Sequence, residues 1–109
     1  MTIEQTSTID ILAIDKATGN VKLVITDHRA WDTDSDEHLQ LLQQKINTYL
    51  RFIESGEMLE TRPDTRGRDV VIAIVGKHPL SEEAQEFFDA AQGVVKKAGF
   101  DLEFELYRP

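Results

Sequence analysis

Two short stretches hold the side chains best suited to chemistry, DHRAWD at 27–32 and GKHP at 76–79. Each follows a run of β-branched residues and precedes a helical pattern. In parallel α/β sheets, ligands settle at the carboxyl ends of the strands. If both stretches lie on that edge, His28, Arg29, Trp31 and Asp32 face Lys77 and His78. Two imidazoles, two cations, carboxylates and the one tryptophan of the chain then line a small-molecule site. Acid–base work would further require one imidazole to be held by Asp27 or Asp32. A plainer reading competes, in which Trp31 caps the core, as tryptophans commonly do, and its polar neighbours are solvated.

Other constellations fail on spacing. Asp32-Thr33-Asp34-Ser35-Asp36 mimics the start of a calcium loop. Glu37 stands where that loop needs Gly, and Gln43 where it needs a bidentate Glu. The aspartates read better as caps and dipole partners of a helix. His28, His38 and His78 are too far apart for a helical metal-ligand pair, so no metal site and no cofactor are expected. Arg62, Arg66 and Arg68 sit in a polar stretch, RPDTRGR, that can grip a phosphate or an acidic partner. Asp64 and Asp69 offset them. The six glycines are isolated, so there is no phosphate-cradling loop, and no nucleophile elbow is present.

The elements that must position these residues follow from periodicity. Ile9 to Asp15 and Val21 to Thr26 read as a hairpin, joined through Gly19. Asp36 to Ser55 reads as a helix with the stripe Leu39, Leu42, Ile46, Leu50 and Ile53. Asp34 with Glu37 fits a capping box, and Gly56 a stop. Residues 57–68 read as a polar loop. Asp69 to Val75, apolar without alternation, reads as a central strand. Ser81 caps a second helix with the stripe Ala84, Phe87, Phe88, Ala91, Val95 and Ala98, which ends at Gly99. Leu102 to Tyr107 alternates as an edge strand, with Leu102, Phe104 and Leu106 inward.

The order is β-β-α-β-α-β. Right-handed crossovers make strands two to four parallel, with strand one antiparallel to strand two. The expected fold is an α/β two-layer sandwich, a four-stranded mixed sheet in the order 1-2-3-4 with both helices on one face. One domain spans 1–109, with 1–7 as a flexible arm. Strands one to three look apolar on both sides, so an arm, a loop or a second subunit must cover the other face. Leu41, Tyr49 and Phe52 widen the apolar arc of the first helix and are interface candidates for a homodimer. A helix wedged between sheet and loop explains them equally.

The chain has 109 residues and a formal charge of -8, from 12 Lys and Arg against 20 Asp and Glu. Such a charge opposes non-specific nucleic-acid binding. There are no cysteines, which excludes disulfides and thiol chemistry. The first residues lack the pattern of a signal peptide, and no apolar run approaches membrane-spanning length. A cytoplasmic protein without membrane association is expected.

The stretch HLQLLQQKINTYLRFIESGE (His38 to Glu57), preceded by the hairpin and DHRAW, resembles an uncharacterised family of bacterial proteins of about this length, a domain of unknown function. The resemblance runs along most of the chain and implies a bacterial single-domain protein. It implies no activity, cofactor or catalytic residue. The residues themselves favour a non-enzymatic binding or regulatory module that self-associates through the first helix or the open sheet face, with a protein or small molecule as possible partner. The alternative is a small-molecule-binding protein or minor enzyme using the strand-end edge around His28, Trp31 and His78. A third reading, an acidic partner for a basic protein, rests on composition alone.

Overall fold

A computed structural model describes residues 3, 5–32 and 34–107. Strands β1 (Ile11–Ile14) and β2 (Val21–Asp27) form the expected hairpin. Gly19 donates to the Asp15 carbonyl at 2.7 Å with φ 79°, a backbone conformation that glycine adopts without a Cβ clash. Strands β3 (Val70–Gly76) and β4 (Asp101–Leu106) complete one sheet in the order β1-β2-β3-β4. β2, β3 and β4 are parallel, and β1 is antiparallel to β2, as the crossover argument requires.

Helix α1 (Ser35–Glu54) and helix α3 (Glu82–Lys97) share one face of the sheet. His38 of α1 meets Asp27, and the Phe88 ring of α3 meets Phe104 edge-on at 6.5 Å. Asp27 and Ile25 lie two residues apart on β2, and the register aligns Ile25 with Ile74 and Ile74 with Phe104. All four therefore point the same way. This side carries the core, with Val21, Leu23, Ile25 and Ile72 fully buried. Gly76 closes its upper end. A Cβ there would come within 2.7 Å of the Phe104 ring, so glycine is what admits the aromatic.

Two expectations change. Residues 57–68 are not an irregular loop. They hold helix α2 (Glu57–Thr61) and a 3-10 turn over Pro63–Thr65, with Met58 and Thr65 buried beneath. The pattern was hidden because the helix is short and presents a single buried apolar residue. The capping box does not form. Asp34 takes φ 48° and its side chain caps nothing, while Glu37 turns to Arg29 at 3.6 Å. Ser81 does cap α3, accepting from the Ala84 N–H at 3.1 Å.

The segment preceding β1 packs along α1. Ile3 is fully buried. The Lys45 ammonium, itself fully buried, donates to the Gln5 and Thr8 carbonyls at 2.6 and 2.7 Å and pairs with Asp10 at 3.0 Å. The Thr48 hydroxyl donates to the Thr6 carbonyl. Residues 1, 2 and 4 of the expected arm lie outside the described residues. Because this segment runs on the helical side, it does not cover the opposite sheet face. There Val24, Val71 and Val75 are half-buried and Ile11 is 43% exposed.

Of the interface candidates, Tyr49 is fully buried, Phe52 belongs to the core and Leu41 is half-buried. The Tyr49 hydroxyl accepts from the Asp10 N–H at 3.1 Å and donates to the Val24 carbonyl at 2.6 Å. Its place on the helix is thus explained by contacts within the chain. No described helix is long and apolar enough to cross a membrane.

Candidate functional site

The register brings the ends of three parallel strands level. Asp27 pairs with Gly76, and Gly76 with Leu106. The next residue of each strand is His28, Lys77 and Tyr107. The ladder continues one step past the strands, with the Lys77 N–H donating to the Asp27 carbonyl at 2.8 Å and the Tyr107 N–H to the Gly76 carbonyl at 2.7 Å. By strand alternation, Thr26 and His28, and likewise Val75 and Lys77, project to the side away from the helices. Together with Asp27 and Tyr107 they line a cleft of about 570 Å³. This is within the range of small-molecule sites and at the strand edge where such sites occur.

Directly across the sheet edge lies a buried polar pair. The Asp27 carboxylate divides its oxygens. Oδ1 accepts from the Arg29 N–H at 3.1 Å, and Oδ2 accepts from Nε2 of His38 at 2.6 Å. A carboxylate oxygen can only accept, so this nitrogen carries the proton. The Trp31 ring lies on the His38 ring, with centroids 3.5 Å apart and planes within 8°. A histidine oriented by a carboxylate is the usual form of a general base. Here, however, the imidazole is fully buried under tryptophan, and its Nδ1 has no hydrogen-bond partner among the described residues. The pair does a structural task instead. It ties the first turn of α1 to the end of β2 and shapes the connector that carries His28.

The six sequence candidates are therefore divided. His28 and Lys77 line the cleft. Trp31 is buried on the helical side against His38, and Arg29 faces Glu37. Asp32 is exposed and His78 half-buried, and neither lines the cleft. Asp27 does hold an imidazole, as acid–base work would demand, but it holds His38 rather than His28.

Two residues were missed. Tyr107 was legible as the outward-facing end of the alternating strand. His38 had a subtler signal. Positions 38, 42, 45, 49 and 52 repeat at steps of four and three, and all five are buried. Hydropathy passes over this stripe because two of its members are His and Lys.

The arginine-rich stretch does not form an anion site of its own. Arg62 grips Asp64 through two bonds of 3.1 and 2.8 Å, which holds the Asp64 carboxyl below the usual carboxylate range. Arg68 donates to the Asp64 and Gly19 carbonyls. No group of three or more potential metal ligands occurs among the described residues. A second hollow, of about 590 Å³, lies beside the end of α1, where Arg51 is outnumbered by Glu54 and Glu57. It lacks the convergence of strand ends.

The chain belongs to a family of unknown function, DUF6572, which matches residues 1–108. The expected resemblance to an uncharacterised family is thereby shown at the level of a family without an assigned role. No curated protein and no solved structure matches the chain.

Proposed function

We propose that this chain is a small-molecule-binding protein whose ligand occupies the cleft at the ends of β2, β3 and β4. The observation that carries this reading is the alignment of His28, Lys77 and Tyr107, each one residue beyond a strand, around a cleft of about 570 Å³. The Asp27–His38–Trp31 cluster supports it from the other side of the sheet edge, because it fixes the backbone from which His28 projects. Binding is the role these residues fit, since the histidine held by Asp27, His38, is sealed from solvent.

A library of small fragments, scored by thermal shift on the wild type and on Val75→Trp, tests this. The indole of the variant fills the cleft floor. Fragments that raise the wild-type Tm are expected to lose that effect in the variant. Equal stabilisation of both proteins would contradict the proposal.

A second reading has its own observation. Ile11 is 43% exposed, and with half-buried Val24, Val71 and Val75 it makes part of the open sheet face apolar. That face suits a second copy of the chain better than α1 does, because Tyr49 and Phe52 are already committed to the core. Sedimentation of the wild type and of Val71→Glu distinguishes the readings. A wild-type dimer that the variant splits favours association, and a wild type monomeric at high micromolar concentration removes it.

A further inference from the structure

We infer that the strand-end cleft selects an amphipathic anion, a small apolar or aromatic body bearing one carboxylate or phosphate group. The inference rests on the binding role proposed above and adds the class of ligand.

The charge argument begins with Lys77. Most cations near the sheet have partners within the chain. Lys22 pairs with Glu105 at 3.2 Å, Lys45 with Asp10 and Arg29 with Glu37. The exposed Lys77 ammonium makes no ion pair or hydrogen bond with a described residue. It stands at the cleft in a chain whose formal charge is -8. Such a chain repels anions except where a local cation is unopposed.

The described acids nearby do not oppose it. Among the described residues, Asp27 is the one carboxylate that lines the cleft. It is only 3% exposed, and both its oxygens are engaged, by the Arg29 N–H and by His38. Glu105, on the same sheet face, is drawn to Lys22. Two backbone acceptors at this edge are also engaged, the Asp27 carbonyl by the Lys77 N–H and the Gly76 carbonyl by the Tyr107 N–H. A ligand that accepts hydrogen bonds finds an ammonium there.

Thr26 and His28 add polar groups to the wall, and Tyr107 and Val75 supply its apolar part. Tyr107 is 51% exposed, and its ring stacks on no other described aromatic. Val75 beside it is half-buried. An aromatic face and a branched aliphatic next to a cation suit a ring with an acid attached. Among the described lining residues Lys77 is the one Lys or Arg, which matches one acid group. A polyphosphate would need more cations or a glycine-rich cradle of N–H groups, and the sequence has no such loop. A divalent cation would need a ligand cluster that the described residues lack.

The test uses benzoate, phenyl phosphate and the neutral isostere benzamide, with binding followed by amide chemical shifts in the full chain. Benzoate or phenyl phosphate is expected to move the amides of 26–28, 75–77 and Tyr107, and the stronger of the two names the acid group. Benzamide is expected to bind at least ~tenfold more weakly, the scale of one charge-assisted hydrogen bond. Lys77→Met should abolish the preference for the anions over benzamide, while Lys77→Arg should retain it. If benzamide binds the cleft as tightly as benzoate, or if Lys77→Met binds benzoate like the wild type, the anion inference fails and the cleft proposal survives. If none of the three compounds binds there, the inference fails as well, and fragments mapping elsewhere would remove the cleft proposal itself.

Discussion

Asp27 gives one oxygen to the connector and the other to His38, and much of the site depends on that division. Removing one member of a buried ionisable pair leaves the other without a partner, which costs about 3–5 kcal/mol. His38→Ala also removes the ring beneath Trp31, a contact of about 0.5–1.5 kcal/mol. Urea unfolding of His38→Ala should therefore show a loss of several kcal/mol and a red-shifted Trp31 emission. A variant as stable as the wild type would mean that the pair does not anchor α1. Tyr49 offers a pH test. Burial, above all, pushes its hydroxyl well above the ordinary value of 10.0. The folded chain thus keeps a proton that the unfolded chain releases above that value. This contribution to stability is fully present below pH 10 and is lost as the pH climbs beyond it. Stability of the wild type should fall across that range more steeply than that of Tyr49→Phe. At neutral pH the phenylalanine variant should lose about 1–3 kcal/mol, because the Asp10 N–H and Val24 carbonyl lose their bridge.

At the scale of elements, α1 binds the chain together through polar as well as apolar residues. Lys45 holds the backbone of residues 5–8 and pairs with Asp10, whose Oδ2 has no partner among the described residues. Lys45→Met should cost about 3–5 kcal/mol, since it leaves Asp10 buried and uncompensated. The double variant Asp10→Asn with Lys45→Met should recover a large part of that loss. Hydrogen exchange should show faster opening of residues 5–12 in the single variant. Unchanged protection there would contradict the role assigned to Lys45. The same residue explains what periodicity could and could not show. The run of α1 was legible from Leu39, Leu42, Ile46, Leu50 and Ile53. The buried arc extends one residue to the side, to His38, Lys45, Tyr49 and Phe52. Two of these are polar, and Tyr49 and Phe52 looked like an excess only because their partners, Asp10 and the segment before it, are far away in sequence. Helix α2 escaped notice for a related reason, since its single buried residue, Met58, makes no period.

For the whole molecule, strand order and direction were legible because the right-handed crossover rule leaves few arrangements for β-β-α-β-α-β. The register was not, and it is the register that makes the site. It places His28, Lys77 and Tyr107 level while Trp31 turns to the other side of the sheet. Sequence proximity grouped His28 with Trp31. Alternation of side chains along β2 and the pull of His38 separated them. The same geometry leaves part of one sheet face apolar and half-exposed, with the cleft at its upper end. Ligand binding and self-association therefore make different claims on neighbouring surfaces, and one spectrum separates them. The nitrogen-15 amide spectrum of the full chain, recorded against mixtures of small fragments, reports every described strand at once. The account predicts shifts gathered at 26–28, 75–77 and Tyr107, with Ile11, Ala13 and Val71 unmoved. Shifts confined to those three, or spread over the sheet without focus at the strand ends, would contradict it.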